Sequence, residues 1–254
     1  MARMKRKTIG MIAAALTLAA GVARAAGTAV TYKSGDETVS GYLAAPGGGG
    51  KHPAIIVVHE WWGLNDWVRA KADHFAGEGY VALAVDLYRG KSAGTDPDVA
   101  HQLMRGLPED RAARDLDAAF RYLAARPDVD PARIGSIGWC MGGGYALVAA
   151  IQEPKLAACV INYGRLVTDP KTVAKIRAPM LGNFGAEDQG IPPSMVEAFE
   201  KEARAAGKTI DFRIYPGAGH GFASNPDPKV YRPDAARDAD ARTDAFLARE
   251  LKKG

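Results

Sequence analysis

Two kinds of apolar pattern alternate along this chain. Short runs that are apolar at consecutive positions, such as Ala54-Ile55-Ile56-Val57-Val58, are separated by longer stretches in which apolar residues recur every three or four positions. A run without polar alternation suits a strand covered on both faces, whereas the longer spacing lines one face of a helix. On this reading strands are predicted at 54–58, 80–85, 133–139, 156–161, 179–184 and 209–215. Helices are predicted at 65–76, 111–125, 141–151, 193–206 and 235–251, and residues 29–32 and 39–43 read as an antiparallel hairpin. Repeated strand-helix-strand units predict one α/β domain with a mostly parallel, doubly wound sheet and helices on both faces. Ligands of such sheets gather at the carboxyl ends of the strands, so residues able to do chemistry should fall there.

The beginning of the chain has a different pattern. Arg3, Lys5, Arg6 and Lys7 form a cationic opening, an apolar run follows over 9–20, and Ala23-Arg24-Ala25 is a small-x-small sequence. That is the layout of a removable secretory signal, and the run is shorter than the roughly 20 residues that cross a bilayer. An adjacent pair of arginines is missing, which favours general secretion over the twin-arginine route. The expectation is cleavage after Ala25 and a mature domain of residues 26–254, periplasmic or secreted, with no membrane span left.

Charge changes meaning once that segment is set aside. The whole chain has 33 basic and 29 acidic residues, net +4; without Arg3, Lys5, Arg6, Lys7 and Arg24 it has 28 against 29, net −1. A nucleic-acid partner is therefore not expected. The apolar share of 47% excludes disorder, and a monomer is expected. Only two cysteines occur, Cys140 and Cys159; the second sits inside Ala157-Ala158-Cys159-Val160-Ile161 and reads as a buried, inert thiol rather than half of a disulfide.

The strongest chemical signal is Gly138-Trp139-Cys140-Met141-Gly142, between a predicted strand and a predicted helix. It has the form of a nucleophile elbow with Cys in place of the commoner Ser. The turn is so tight that a β-carbon at either glycine would clash, and the helix N-terminus favours thiolate at Cys140. Such a nucleophile needs a base, and the base an orienting acid. His220, in the Gly-rich loop Gly217-Ala218-Gly219-His220-Gly221, is the candidate base; His52, His74 and His101 read as surface or satisfied core residues. Asp188, just past a strand, is the candidate acid, with Glu187 its neighbouring competitor. Cys140, Asp188 and His220 follow the chain order of an α/β-hydrolase triad. For the oxyanion hole the candidates are the backbone amides of Met141, after the nucleophile, and of Trp61, in the loop after the first central strand. Gly142-Gly143-Gly144 lacks the Lys-Ser/Thr of a phosphate loop.

Taken in order, His59-Glu60-Trp61-Trp62-Gly63-Leu64-Asn65, Asp86-Leu87-Tyr88, Gly138-Trp139-Cys140-Met141-Gly142-Gly143, Gly185-Ala186-Glu187-Asp188 and Gly219-His220-Gly221-Phe222 resemble the dienelactone hydrolase family over most of the chain. The resemblance implies a single-domain α/β-hydrolase fold and carboxymethylenebutenolidase activity, the opening of an enol-lactone ring. It carries Cys140, Asp188 and His220 over as the triad and gives Glu60 the role of helping to generate thiolate when substrate binds. A carboxylate in an apolar pocket beside Trp61 and Trp62 has a raised pKa and can accept a thiol proton; a structural Glu bonding loop amides is the alternative.

Two departures stand out. Family members that cleave dienelactone hold the substrate carboxylate with arginines, one shortly after Asp-Leu-Tyr and one shortly after the catalytic histidine. Here Arg89 directly follows Tyr88, and His220 is followed by Gly221-Phe222-Ala223-Ser224-Asn225 without arginine; Arg232 could supply a cation from elsewhere. Trp62, Tyr88 and Arg89 are the candidates for substrate contact. The expected function is hydrolysis of a small ester or lactone through a cysteine acyl-enzyme, with no cofactor or metal. A general carboxylesterase or thioesterase is the nearest alternative, and a thiol redox-responsive protein with Cys159 as resolving partner a more distant one.

Overall fold

A computed structural model describes residues 26–252, so the expected signal segment lies outside the described residues. The chain enters through a hairpin, β1 (Thr28–Ser34) and β2 (Glu37–Ala44), and continues with β3 (His52–Val58), α1 (Asp66–Gly77) and β4 (Val81–Val85). Helices α2 (Pro97–Arg105) and α3 (Glu109–Ala124) follow, then β5 (Val129–Trp139), α4 (Met141–Gln152), β6 (Ala158–Asn162), α5 (Pro170–Lys175), β7 (Met180–Gly185), α6 (Pro193–Ala205), β8 (Ile210–Tyr215) and α7 (Pro233–Leu251). Every strand and helix expected from the pattern is present, with ends moved by a few residues; α2 and α5 are additional.

The eight strands form one sheet in the order β1-β2-β4-β3-β5-β6-β7-β8. Strand β2 pairs antiparallel with both β1 and β4, and every pairing from β4 across to β8 is parallel. Alternate residues of each central strand enter different layers, as strand geometry dictates. Ile56, Val58, Leu83, Ile161 and Met180 pack with Leu116 and Phe120 of α3, Leu147 of α4 and Phe199 of α6. Ile55, Val57, Ala84, Ile137 and Val160 face the other way, against Val68 and Phe75 of α1 and Phe246 and Leu247 of α7. Strand residues 54–58 are fully buried, which is why these strands read as unbroken apolar runs.

The parallel strands all end at one edge, and the loops that leave it carry the candidate residues. The loop after β3 holds Glu60 and Trp61, that after β5 holds Cys140, that after β7 holds Asp188 and that after β8 holds His220. Among the described residues, no helix is long and apolar enough to cross a membrane.

Candidate active site

Cys140 links β5 to α4 with φ 54° and ψ −122°, a backbone conformation that a residue with a side chain adopts only when its surroundings force it. The surroundings do so from several sides. The Cys140 amide donates to the Asn162 carbonyl at 3.0 Å, and Asn162 Nδ2 donates to the Gly138 carbonyl at 3.1 Å. The turn closes so tightly that a β-carbon on Gly138 would overlap the Gly142 carbonyl, and one on Gly142 would strike the carbonyl oxygens of Val58 and His59. Asn183 Nδ2 holds Asn162 Oδ1 at 2.8 Å. A buried ladder of two asparagines thus fixes the elbow, and the apolar pattern of β6 and β7 conceals it.

The raised sulfur meets the imidazole directly. His220 Nε2 lies 3.0 Å from Cys140 Sγ, and His220 Nδ1 lies 2.8 Å from Asp188 Oδ2. The second Asp188 oxygen accepts from the amides of Gly190 and Ile191 at 2.8 and 2.9 Å. Burial works to raise the Asp188 carboxyl, but the bonds from His220, Ile191 and Gly190 prevail and hold it below the ordinary carboxylate range. Burial also opposes charge on His220, yet its contacts with Asp188 and Cys140 raise it to about 10. At neutral pH the ring therefore carries a proton between a carboxylate and a sulfur. Glu187, the competing acid, is exposed on the loop.

Glu60 is 8% exposed and lies beside this centre. Its Oε1 accepts from Ser224 Oγ at 2.8 Å, and Ser224 Oγ in turn accepts from the buried Tyr163 hydroxyl at 3.0 Å. Burial raises the Glu60 carboxyl to about 7, against the lowering effects of Ser224 and His220. The neighbouring His59 is fully buried, with Nδ1 2.6 Å from the Glu60 carbonyl and Nε2 accepting from the Leu87 amide at 3.2 Å. Both ring nitrogens are occupied, so His59 ties the loop after β3 to the loop after β4. Among the described residues no group of three or more His, Cys, Asp or Glu side chains is placed to hold a metal ion.

A cavity of about 240 Å³ opens over the sulfur. Cys140, His220 and Glu60 line it together with Trp61, Trp62, Ser224 and Asn225. His101 and Met104 of α2 also line it, the His101 ring edge-on to Trp61 with centroids 4.7 Å apart. Among the described residues, neither the Met141 nor the Trp61 amide donates to another protein group.

Not every expected residue reaches this cavity. Arg89, a candidate substrate contact, turns away: it binds Asp115 at 2.9 Å and Glu37 at 3.2 Å. Tyr88 is buried, its hydroxyl 3.3 Å from Sδ of Met141, the residue after Cys140. Arg232 is spent on the carbonyls of Gly217, Lys229 and Tyr231. Conversely His101, read as a surface or satisfied core residue, lines the site, and so do Met104, Ser224 and Asn225. Asp86 is structural, accepting from Ser40 and from the amides of Tyr88 and Gly90. Cys159 is fully buried, and its thiol donates to the Ala146 carbonyl.

Sheet order, helices on both faces and a strained elbow at the carboxyl edge define an α/β-hydrolase. Residues 39–251 match the family model described as the dienelactone hydrolase family, and the chain belongs to that family. It is similar to the Methylorubrum extorquens protein named "Putative carboxymethylenebutenolidase", 36% identical over 80% of this chain and 74% of that one. The solved structure titled "Putative Dienelactone Hydrolase" from Klebsiella pneumoniae is 31% identical over 88% of this chain and 99% of that chain, with a TM-score of 0.78. At 24% identity, the structure of the "Dienelactone Hydrolase-like Promiscuous Phospotriesterase P91 from Metagenomic Libraries" shares the fold, with a TM-score of 0.79 over 89% of this chain and all of that one.

Proposed function

We propose that this protein hydrolyses a small carboxylic ester or lactone through a covalent thioester on Cys140. The observation that carries the reading is the continuous contact from sulfur to imidazole to carboxylate, 3.0 Å and then 2.8 Å. In the reaction the Cys140 thiolate attacks the carbonyl carbon, and the electron pair of the C=O bond moves to oxygen. The amides of Met141 and Trp61 receive that oxyanion, as preorganised donors do in acyl transfer. As the C–O bond breaks, His220 gives its Nε2 proton to the departing oxygen. Water then attacks the thioester, its proton passes to His220, and the sulfur leaves as thiolate. Asp188 keeps the ring oriented and balances its charge throughout. Glu60 accepts a thiol proton from Cys140 when substrate enters, a role supported by its burial and its carboxyl at about 7.

The test is turnover of aryl esters, enol lactones and thioesters by residues 26–254, with Cys140→Ala as control. Loss of activity in that variant is expected; equal activity in variant and parent ends the mechanism. Cys140→Ser is expected to keep the fold and lose most activity, because a hydroxyl is far less readily ionised than a thiol. The N-terminal pattern supports export, and N-terminal sequencing of protein from a periplasmic fraction is expected to begin at Ala26.

A further inference from the structure

The site's chemistry also restricts which esters can enter it. We propose that the cavity accepts uncharged acyl groups and turns away carboxylate-bearing ones of the same size, an inference that rests on the hydrolytic reading above. Among the described residues, no lysine or arginine lines the cavity, whereas a buried acid, Glu60, is part of it. The arginines whose sequence positions suggest a clamp are committed elsewhere: Arg89 to Asp115 and Glu37, Arg232 to three backbone carbonyls. Positions 224 and 225, which face the cavity just after His220, hold a hydroxyl and an amide. The positive group of the lining, the His220 ring, is already balanced by Asp188 at 2.8 Å.

A carboxylate entering here loses water and meets no cation that is not already paired, and it faces Glu60 across a small space. An uncharged chain or ring meets instead the apolar faces of Trp61, Trp62 and Met104. At about 240 Å³ the cavity lies below the roughly 300–1,000 Å³ that holds drug-sized ligands. That limits the buried group to a short chain or a single ring.

The test compares two esters that differ only where a methyl replaces a carboxylate, 4-nitrophenyl butyrate and mono-4-nitrophenyl succinate, at pH 8. A kcat/KM ratio of about thirtyfold or more in favour of the butyrate is expected, the effect of one like charge at cavity distance, which Glu60 carries before it takes the thiol proton and the Cys140 thiolate carries afterwards. A ratio near one, or one favouring the succinate, overturns the proposal. If neither ester is cleaved, the hydrolytic reading is at fault, and charge preference is read by binding. Tryptophan fluorescence of the Cys140→Ala protein is then titrated with butyranilide and with succinanilic acid. Binding of the anilide alone supports the substrate class; binding of the acid as tightly, or of neither, overturns it.

Discussion

Arg89 holds Asp115 through both Nε and Nη2, at 3.2 and 2.9 Å, in a pocket where the Asp115 side chain is only 2% exposed. Ser34 adds a 2.5 Å hydrogen bond to the same carboxylate, so the pair joins β1, the loop after β4 and α3. Its position explains why an arginine beside the Asp-Leu-Tyr motif does not reach the cavity over Cys140.

Removing the guanidinium leaves a buried, unbalanced carboxylate, which costs about 3 kcal/mol or more. Arg89→Ala is therefore expected to lose stability of that order in urea unfolding. Its KM for a neutral ester should stay within about twofold of the parent, since no contact with the cavity is lost. A large rise in KM with unchanged stability would return Arg89 to the binding site.

Asp188→Asn tests the role proposed for Asp188 as orienting acid. The amide keeps the shape but cannot balance an imidazolium, and such changes lower kcat by about a thousandfold or more. The His220 pKa should fall in the same variant, because its bond to Asp188 is a principal force raising it. NMR titration of the His220 ring reads this separately from turnover. A His220 pKa equal to the parent's would show that Asp188 is not its partner in solution.

Glu60 gives a pH-dependent stability. Its carboxyl is raised to about 7 in the fold and lies near 4.3 in the unfolded chain. Between those values the folded form holds more protons, so stability falls as pH rises. The full penalty, on the order of 3 kcal/mol, is present above pH 7 and largely gone by pH 5. Glu60→Gln keeps an acceptor for Ser224 and has no charge to bury. Its melting temperature should exceed the parent's at pH 8 and approach it at pH 5; an equal gap at both values would refute a raised Glu60. His220, Ser224, Tyr163 and Cys140 surround the carboxyl, so the same scan on His220→Gln separates the two titrations.

The two thiols should differ in reactivity. Cys159 is fully buried, and that burial pushes its thiol up to about 12. One equivalent of a thiol reagent is expected to react in the native protein, at Cys140, and the second only after unfolding. Mild peroxide is expected to give no Cys140–Cys159 disulfide; finding that bond by mass spectrometry would revive the redox alternative.

Much of this architecture is legible in the order of residues, for physical reasons. The central strands declare themselves because both faces are covered, and Gly138 and Gly142 because the turn leaves room only for hydrogen. Asp188 and His220 follow from strand ends and chain order. Helix α2 escapes notice: it buries only Ala100, so no apolar stripe announces it, although Asp96 caps the helix and Pro97 opens it. With α2 unseen, His101 and Met104 have no reason to be placed at the site. The direction of a long side chain is equally hidden, since the partners of Arg89 lie 26 and 52 positions away.

The residues around the cavity are built on different foundations. Cys140, Asp188 and His220 hang from a sheet whose central strands are wholly enclosed, whereas α2 is nine residues long and buries only Ala100. Substitutions on α2 can therefore reshape what the enzyme admits at little cost to folding, while the same freedom is denied to the sheet edge. Adaptation to a new substrate would start from those nine positions and leave the chemical step untouched.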